Sequence, residues 1–160
     1  MNIAVNVNGQ ITDAEHANVS ALDRGFLFGE GVYETLRTYN RRPFLLNRHL
    51  DRLRGSASHL SLTVPLDDVG YAERIAETVS AVSDKETELY IRLLVTRGVG
   101  DLTYDPNSCP DSTVVIIVRP YAGASTELDE KGITVVRSSI VRNHPAALNT
   151  IIKSNNLFNL

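Results

Sequence analysis

The sequence predicts an α+β fold, and three observations carry that expectation. Short runs alternate apolar with polar residues and are joined by tight-turn signals, as antiparallel strands are. Two stretches of the first half carry apolar residues at helical spacing. The elements follow one another as hairpins, then two helices, then two more strands. That order does not alternate strand with helix, which argues against a doubly wound sheet.

Ile3, Val5 and Val7 alternate with small or polar residues, then Asn8-Gly9 intervenes before Gln10-Ile11-Thr12. An Asn-Gly pair between such runs predicts a hairpin with a two-residue primed turn. The stretch from Asp23 to Gly31 holds three glycines in its last seven positions, where the backbone can turn sharply or approach a ligand. Val32 to Tyr39 is rich in β-branched and aromatic residues and reads as a strand. Asn40-Arg41-Arg42 turns the chain, and Pro43 to Leu46 begins a return strand. Asn47 is then a suitable N-cap for a helix that places Leu46, Leu50, Leu53, Ala57 and Leu60 on one face. After Pro65, Asp67 or Asp68 caps a second helix with Val69, Ala72, Ile75, Ala76, Val79 and Val82 on its apolar face. Glu88 to Thr96 and Thr113 to Arg119 read as strands around a polar loop from Gly98 to Pro110.

Tyr121 to Thr126 is small and polar, which marks a break in composition. The expected division is a small α+β domain over 1–120, an interdomain linker over 121–128 and the incomplete beginning of a larger domain over 129–160. Within the last part, Ile133 to Val136 and Ser138 to Val141 read as two short strands. About thirty-five residues after the break are too few for a core of their own.

Composition narrows the function classes. A net charge of −3 and a pI near 5.8 do not point to nucleic acid or an anionic membrane surface as partner. Cys109 is the one cysteine, so no internal disulfide forms, and a reducing, cytoplasmic setting is expected. The first residues lack the basic and apolar regions of a signal peptide, and Val114 to Val118 is far too short to span a bilayer. The histidines at 16, 49, 59 and 144 form no metal-ligand spacing, so no metal is expected. Neither a phosphate-binding Gly-Lys loop nor a nucleophile elbow is present.

The chemistry concentrates at Lys153, which follows two isoleucines and precedes Ser154-Asn155-Asn156. Apolar neighbours disfavour the charged ammonium, and a neutral amine can capture a carbonyl as a Schiff base. An arbitrary lysine in this setting is a surface residue. Three upstream segments change that reading: Leu22 to Glu34, His49-Leu50-Asp51-Arg52-Leu53, and Tyr90-Ile91-Arg92 running into Val95-Thr96-Arg97-Gly98.

Together with Ile152 to Asn156, these segments resemble the fold-type IV, pyridoxal-phosphate-dependent enzymes. That family includes branched-chain aminotransferases, D-amino-acid aminotransferases and aminodeoxychorismate lyases. The resemblance covers the whole chain, with the motifs in the family's order. It implies that Lys153 holds the pyridoxal 5'-phosphate cofactor and moves the substrate's α-proton. Arg52 matches the arginine that holds the cofactor phosphate, a task suited to a fixed fork of donors; His49, one turn earlier, is expected to brace the helix. Tyr33 matches the pocket lining, with Glu34 on the opposite strand face. Arg37, on the face of Tyr33, is a candidate for an anionic substrate group.

Tyr90 and Arg92 share a strand face, and the pair resembles the Tyr-x-Arg element of branched-chain aminotransferases near the substrate carboxylate. The Arg-x-His pair of the D-amino-acid enzymes is absent, with Leu102 and Tyr104 in its place. Phe28 stands where branched-chain enzymes often carry tyrosine. The resemblance therefore implies transamination between an amino acid, first a branched-chain L-amino acid, and 2-oxoglutarate, in a homodimer. Aminodeoxychorismate lyase and D-amino-acid aminotransferase remain alternatives. So does a truncated, inactive fragment or dimerisation module, since the sequence stops seven residues after Lys153, short of the family's downstream parts; a fragment of a longer enzyme is the favoured expectation, and the 160-residue piece is expected to be inactive.

Overall fold

The computed structural model describes residues 1–121, 123, 126–141, 143, 144, 146, 147 and 149–156, the side chains of 126, 127 and 129 excepted. Arg142, Pro145 and the final residues 157–160 lie outside the described residues.

Six strands form one antiparallel sheet. They are β1 (Ala4–Val7), β2 (Gln10–Asp13), β3 (Gly31–Tyr39), β4 (Arg42–Pro43), β5 (Leu89–Thr96) and β6 (Thr113–Pro120), in the order β2-β1-β6-β5-β3-β4. The helices are α1 (Arg24–Leu27), α2 (Leu46–His59), α3 (Asp68–Ala81) and α4 (Thr126–Lys131). The α+β class expected from the sequence is the one observed.

Both short hairpins turn as their residues require. Asn8 and Gly9 have φ of 51° and 98°, and Asn40 and Arg41 have φ of 50° and 59°. Positive φ at both central residues is the primed turn that matches strand twist. Asn8 Oδ1 also accepts from the Val114 amide at 2.8 Å, which pins the first hairpin to β6.

Strand alternation sorts the side chains into two faces. Val32, Leu36, Leu89, Ile91, Leu93, Val95, Val114, Ile116 and Val118 form the buried layer, with Leu50, Leu53 and Ala57 of α2 and Tyr71, Ile75 and Val79 of α3 packed on it. The other face carries Tyr33, Thr35 and Arg37 from β3, Tyr90 and Arg92 from β5, and Arg119 from β6. In register, Arg37 lies opposite Tyr90 and Tyr90 opposite Arg119, so three strands contribute one row.

Three local expectations are corrected. The return strand is only Arg42–Pro43, because proline offers no ladder donor and Leu45 takes a left-handed φ of 53°. The first helix starts at Leu46 rather than being capped by Asn47; Leu45 holds the cap position without a side-chain bond. Packing of Leu46 against the core outweighs the capping preference. Asp67 does cap α3, its carboxylate accepting from Gly70 N at 2.8 Å. The buried face of α3 is Tyr71, Ile75, Thr78 and Val79, while Val69 is 63% exposed and Ala76 is also exposed. Burial of Thr78 is possible because its hydroxyl donates to Arg74 O at 2.7 Å.

The expected strands at 133–136 and 138–141 are not formed, and Ile133, Val135, Val136, Ile140 and Val141 are exposed. Extended backbone becomes a strand only with a ladder partner, and these residues meet none among the described ones. The expected linker, 121–128, runs into α4 at Thr126.

Candidate active site

β3 is the strand on which the candidate site is assembled, since its alternation sends Tyr33 and Glu34 to opposite faces. Glu34 points toward α2 and is fully buried. One face of α2 presents His49, Arg52 and Ser56 at helical spacing. Arg52 Nε and Nη2 donate to the two carboxylate oxygens of Glu34, each at 2.6 Å. His49 Nδ1 lies 2.7 Å from Glu34 Oε2. An ionised carboxylate only accepts, so Nδ1 carries the proton, and the 3.5 Å approach of Arg52 Nη2 to His49 Nδ1 sets donor against donor. His49 thus braces the helix, as expected, through a specific partner.

Burial pushes the Glu34 carboxyl up, but the hydrogen bonds and charges of Arg52 and His49 outweigh it and hold the group below its ordinary 4.5. A depressed carboxylate contributes stability that is present above about pH 4.5 and is lost as the pH falls through the lower folded value. Asp84 and Glu88, also depressed, share that acid limb. Urea titrations at about pH 7 and about pH 3.5 are expected to show Glu34→Gln losing less stability on acidification than the parent. Equal losses would remove Glu34 from the acid response.

Ser56, one turn after the exposed Arg52 and itself buried, accepts from the backbone N–H of Lys153 at 3.1 Å. The lysine segment docks on the start of β3 as a short antiparallel edge. Tyr33 N donates to Lys153 O at 3.0 Å, Asn155 N donates to Gly31 O at 2.9 Å, and Ser154 bridges Val32. Gly31 makes room for this, since a Cβ there would stand 2.5 Å from Asn155 Nδ2.

The Lys153 ammonium lies 4.5 Å from the centroid of the Tyr33 ring, and the Arg92 guanidinium carbon lies 4.1 Å from the same centroid. Such distances give cation–π attraction. Arg119 lies over the Tyr90 ring at 4.7 Å. Burial pushes the Tyr90 phenol up, yet bonds to Thr35 and Arg92 and the charges of Arg92 and Arg119 bring it below its ordinary value. A phenol so held is a stronger hydrogen-bond donor toward an anion.

Lys153, Tyr33 and Arg92 are therefore brought together, while Tyr90 shares their face further along the sheet, opposite Arg37. Arg52 approaches β3 from the helix layer and lies within electrostatic range of Tyr33. Arg37 lies four residues or about 13 Å along the strand from Tyr33, beside Tyr90 in register. It is held between the rings of Tyr39 and Tyr121, at 4.3 and 4.8 Å. A cavity of about 270 Å³, lined by Phe28, Gly29, Leu60, Leu62, Ile152 and Asn156 among others, opens beside the lysine segment. Sequence reasoning missed Ser56 and Arg119. Ser56 was within reach, four residues after Arg52 on a helix; Arg119 needed the β5–β6 register.

Comparison with known proteins shows the family and the fold. Residues 31–160 match the model of the family described as amino-transferase class IV. The chain is 38% identical over 153 residues to a Methanocaldococcus jannaschii protein provisionally named a branched-chain-amino-acid aminotransferase, covering 96% of this chain and 51% of that one. It is 30% identical over 139 residues to the aminodeoxychorismate lyase of Bacillus subtilis, covering 87% of this chain and 46% of the lyase. The crystal structure of the branched-chain aminotransferase from Thermoproteus uzoniensis with norvaline superimposes with a TM-score of 0.81 at 28% identity, over 95% of this chain and 51% of that one. The chain spans about half the length of these relatives.

Proposed function

The chain belongs to the class IV aminotransferase family of pyridoxal-phosphate enzymes, and from that premise we propose that the complete enzyme transfers an amino group from an amino acid, a branched-chain L-amino acid first, to 2-oxoglutarate. The observation that carries this reading is the meeting of the Lys153 amine with Tyr33 and Arg92 on one face of the sheet.

The residues present fit the cofactor in kind. Arg52 retains donors that Glu34 does not occupy, and it is 54% exposed along its side chain. Ser56 anchors the Lys153 backbone one helical turn away, a rise of about 5.4 Å. Arg52 and the backbone of Lys153 are therefore referred to one rigid helix. When bound, the cofactor supplies the electron sink that makes an α-proton removable.

Arg52 would hold the phosphate, and Lys153 would hold the cofactor through its amine and move the proton at the substrate's α-carbon. Tyr90 and Arg92 orient the α-carboxylate by hydrogen bond and charge, and Tyr33 lines the pocket and confines the amine. Arg37 strengthens the positive face from further along β3. The small domain over 1–120, the linker and the beginning of a larger domain remain the proposed division, and the working unit is a homodimer. No described helix is long and apolar enough to cross a membrane, and the lone Cys109 favours a cytoplasmic enzyme.

A second reading, elimination of pyruvate from aminodeoxychorismate, has the Bacillus subtilis relative in its favour. Coupled assays on the full-length protein with leucine, D-alanine and aminodeoxychorismate separate the options. Glutamate formed from 2-oxoglutarate with leucine is the expected result. Consumption of aminodeoxychorismate alone would replace the transaminase reading, and turnover of D-alanine alone would reverse the stereochemistry.

A further inference from the structure

Glu34 is a buried carboxylate that no step of the proposed reaction uses. Burying a charge is unfavourable unless it is paired, and a buried ion pair is itself weak evidence for stability. Its geometry points elsewhere. The carboxylate takes Nε and Nη2 of Arg52 as a two-point fork and His49 Nδ1 as a third donor. A fork of this kind fixes the plane and direction of the guanidinium. Of the five N–H groups of an arginine, two are spent on Glu34. The remaining edge, both N–H of Nη1 and one of Nη2, faces away from the carboxylate. Since Arg52 is about half exposed, that edge is accessible.

We infer that Glu34, steadied by His49, is a positioning residue for Arg52, holding its outer edge ready for the cofactor's phosphate. The inference rests on the reading of Arg52 as the phosphate anchor. An arginine free in solvent loses much rotamer freedom when it grips a ligand. Here that ordering is already complete before the ligand arrives. Glu34 also adds a negative charge near a phosphate, which acts against binding; the inference holds that ordering outweighs this repulsion.

The test compares pyridoxamine 5'-phosphate with pyridoxamine, which lacks the phosphate, by calorimetry on the cofactor-free full-length protein. The ratio of the two affinities isolates the phosphate contribution. Glu34→Asp keeps the charge and withdraws the carboxylate by one methylene, so the ratio is expected to fall about tenfold while pyridoxamine affinity stays unchanged. In an Arg52→Ala background the same change is expected to have no further effect. Glu34→Gln, isosteric and uncharged, is expected to lower the ratio as well, and it decides the matter if the aspartate variant does not fold. A ratio that is kept or rises in the folded Glu34 variants, or equal losses for both ligands, overturns the positioning role while Arg52→Ala still lowers the ratio. If Arg52→Ala itself leaves the ratio unchanged, the assignment of Arg52 falls and this inference with it.

Discussion

Replacing Lys153 with alanine in the full-length protein is expected to lower transamination by at least about 10⁴-fold, because in the proposed reaction one amine performs two tasks that no neighbour can take over. Among the described residues, the cations over the Tyr33 ring are Lys153 and Arg92, and a guanidinium cannot give up its proton to act as a base or nucleophile. The fold is expected to survive. What docks residue 153 is its backbone, through Tyr33 N to Lys153 O and Lys153 N to Ser56 Oγ, and alanine keeps both bonds. Thermal unfolding of Lys153→Ala should therefore differ from the parent by less than about 1 kcal/mol. Lys153→Arg sharpens the comparison: it keeps a cation against the Tyr33 ring and should be as inactive as the alanine variant. Borohydride reduction of the cofactor-loaded parent followed by peptide mapping is expected to place the pyridoxyl group on Lys153. An adduct on Lys85 or Lys131 would end the assignment.

The features of the fold that could be read in advance are those settled by neighbours in sequence. Asn8-Gly9 specifies its turn through backbone sterics alone, and Asp67 caps α3 through a bond to Gly70, three residues away. Strand alternation likewise put Glu34 opposite Tyr33 and placed Tyr90 with Arg92. Expectations failed where tertiary packing competed. Leu46 is drawn into the first turn of α2 by the core, so Asn47 never acts as cap. Tyr71 and Thr78 displace Val69 and Ala76 from the buried face of α3. The β-branched runs after 132 have strand propensity but no partner.

The candidate site divides in the same way. Lys153, Arg52 and Tyr90 with Arg92 were legible from a family resemblance carried by motifs. What holds them was not legible, because Glu34 meets Arg52 across eighteen positions and Ser56 meets Lys153 across ninety-seven. Such contacts follow from the docking of α2 and of the lysine segment on β3, which no local pattern encodes. Arg37 shows the limit of face arguments: it shares the face of Tyr33 yet lies at the other end of the strand, between two tyrosine rings.

Gly31→Ala is expected to cost roughly 100-fold in kcat, because it disturbs that docking rather than any group that touches substrate. A Cβ at Gly31 would stand 2.5 Å from Asn155 Nδ2 and 3.1 Å from Val95 O. The φ of Gly31 is one that alanine adopts freely, so the effect comes from contact and not from backbone strain. Val95 O belongs to the β3–β5 ladder and yields little. The Asn155 side chain must therefore give way, and its backbone is tied to Gly31 O and through Ser154 to Lys153. Movement of the segment by about 1 Å would misalign the amine, an error that costs about 10² in rate. The accompanying loss of stability should be about 1–3 kcal/mol, the usual range for overpacking. Two comparisons isolate the cause. Gly55→Ala, on α2 with no atom within 4 Å of its new Cβ, should raise stability by about 0.5–1 kcal/mol and leave kcat unchanged. Asn155→Ala added to Gly31→Ala should restore part of the lost rate, since it removes the closer of the two contacts. If Gly31→Ala turns over like the parent, residues 153–155 are not placed by their contact with β3, and the amine must be positioned by something else.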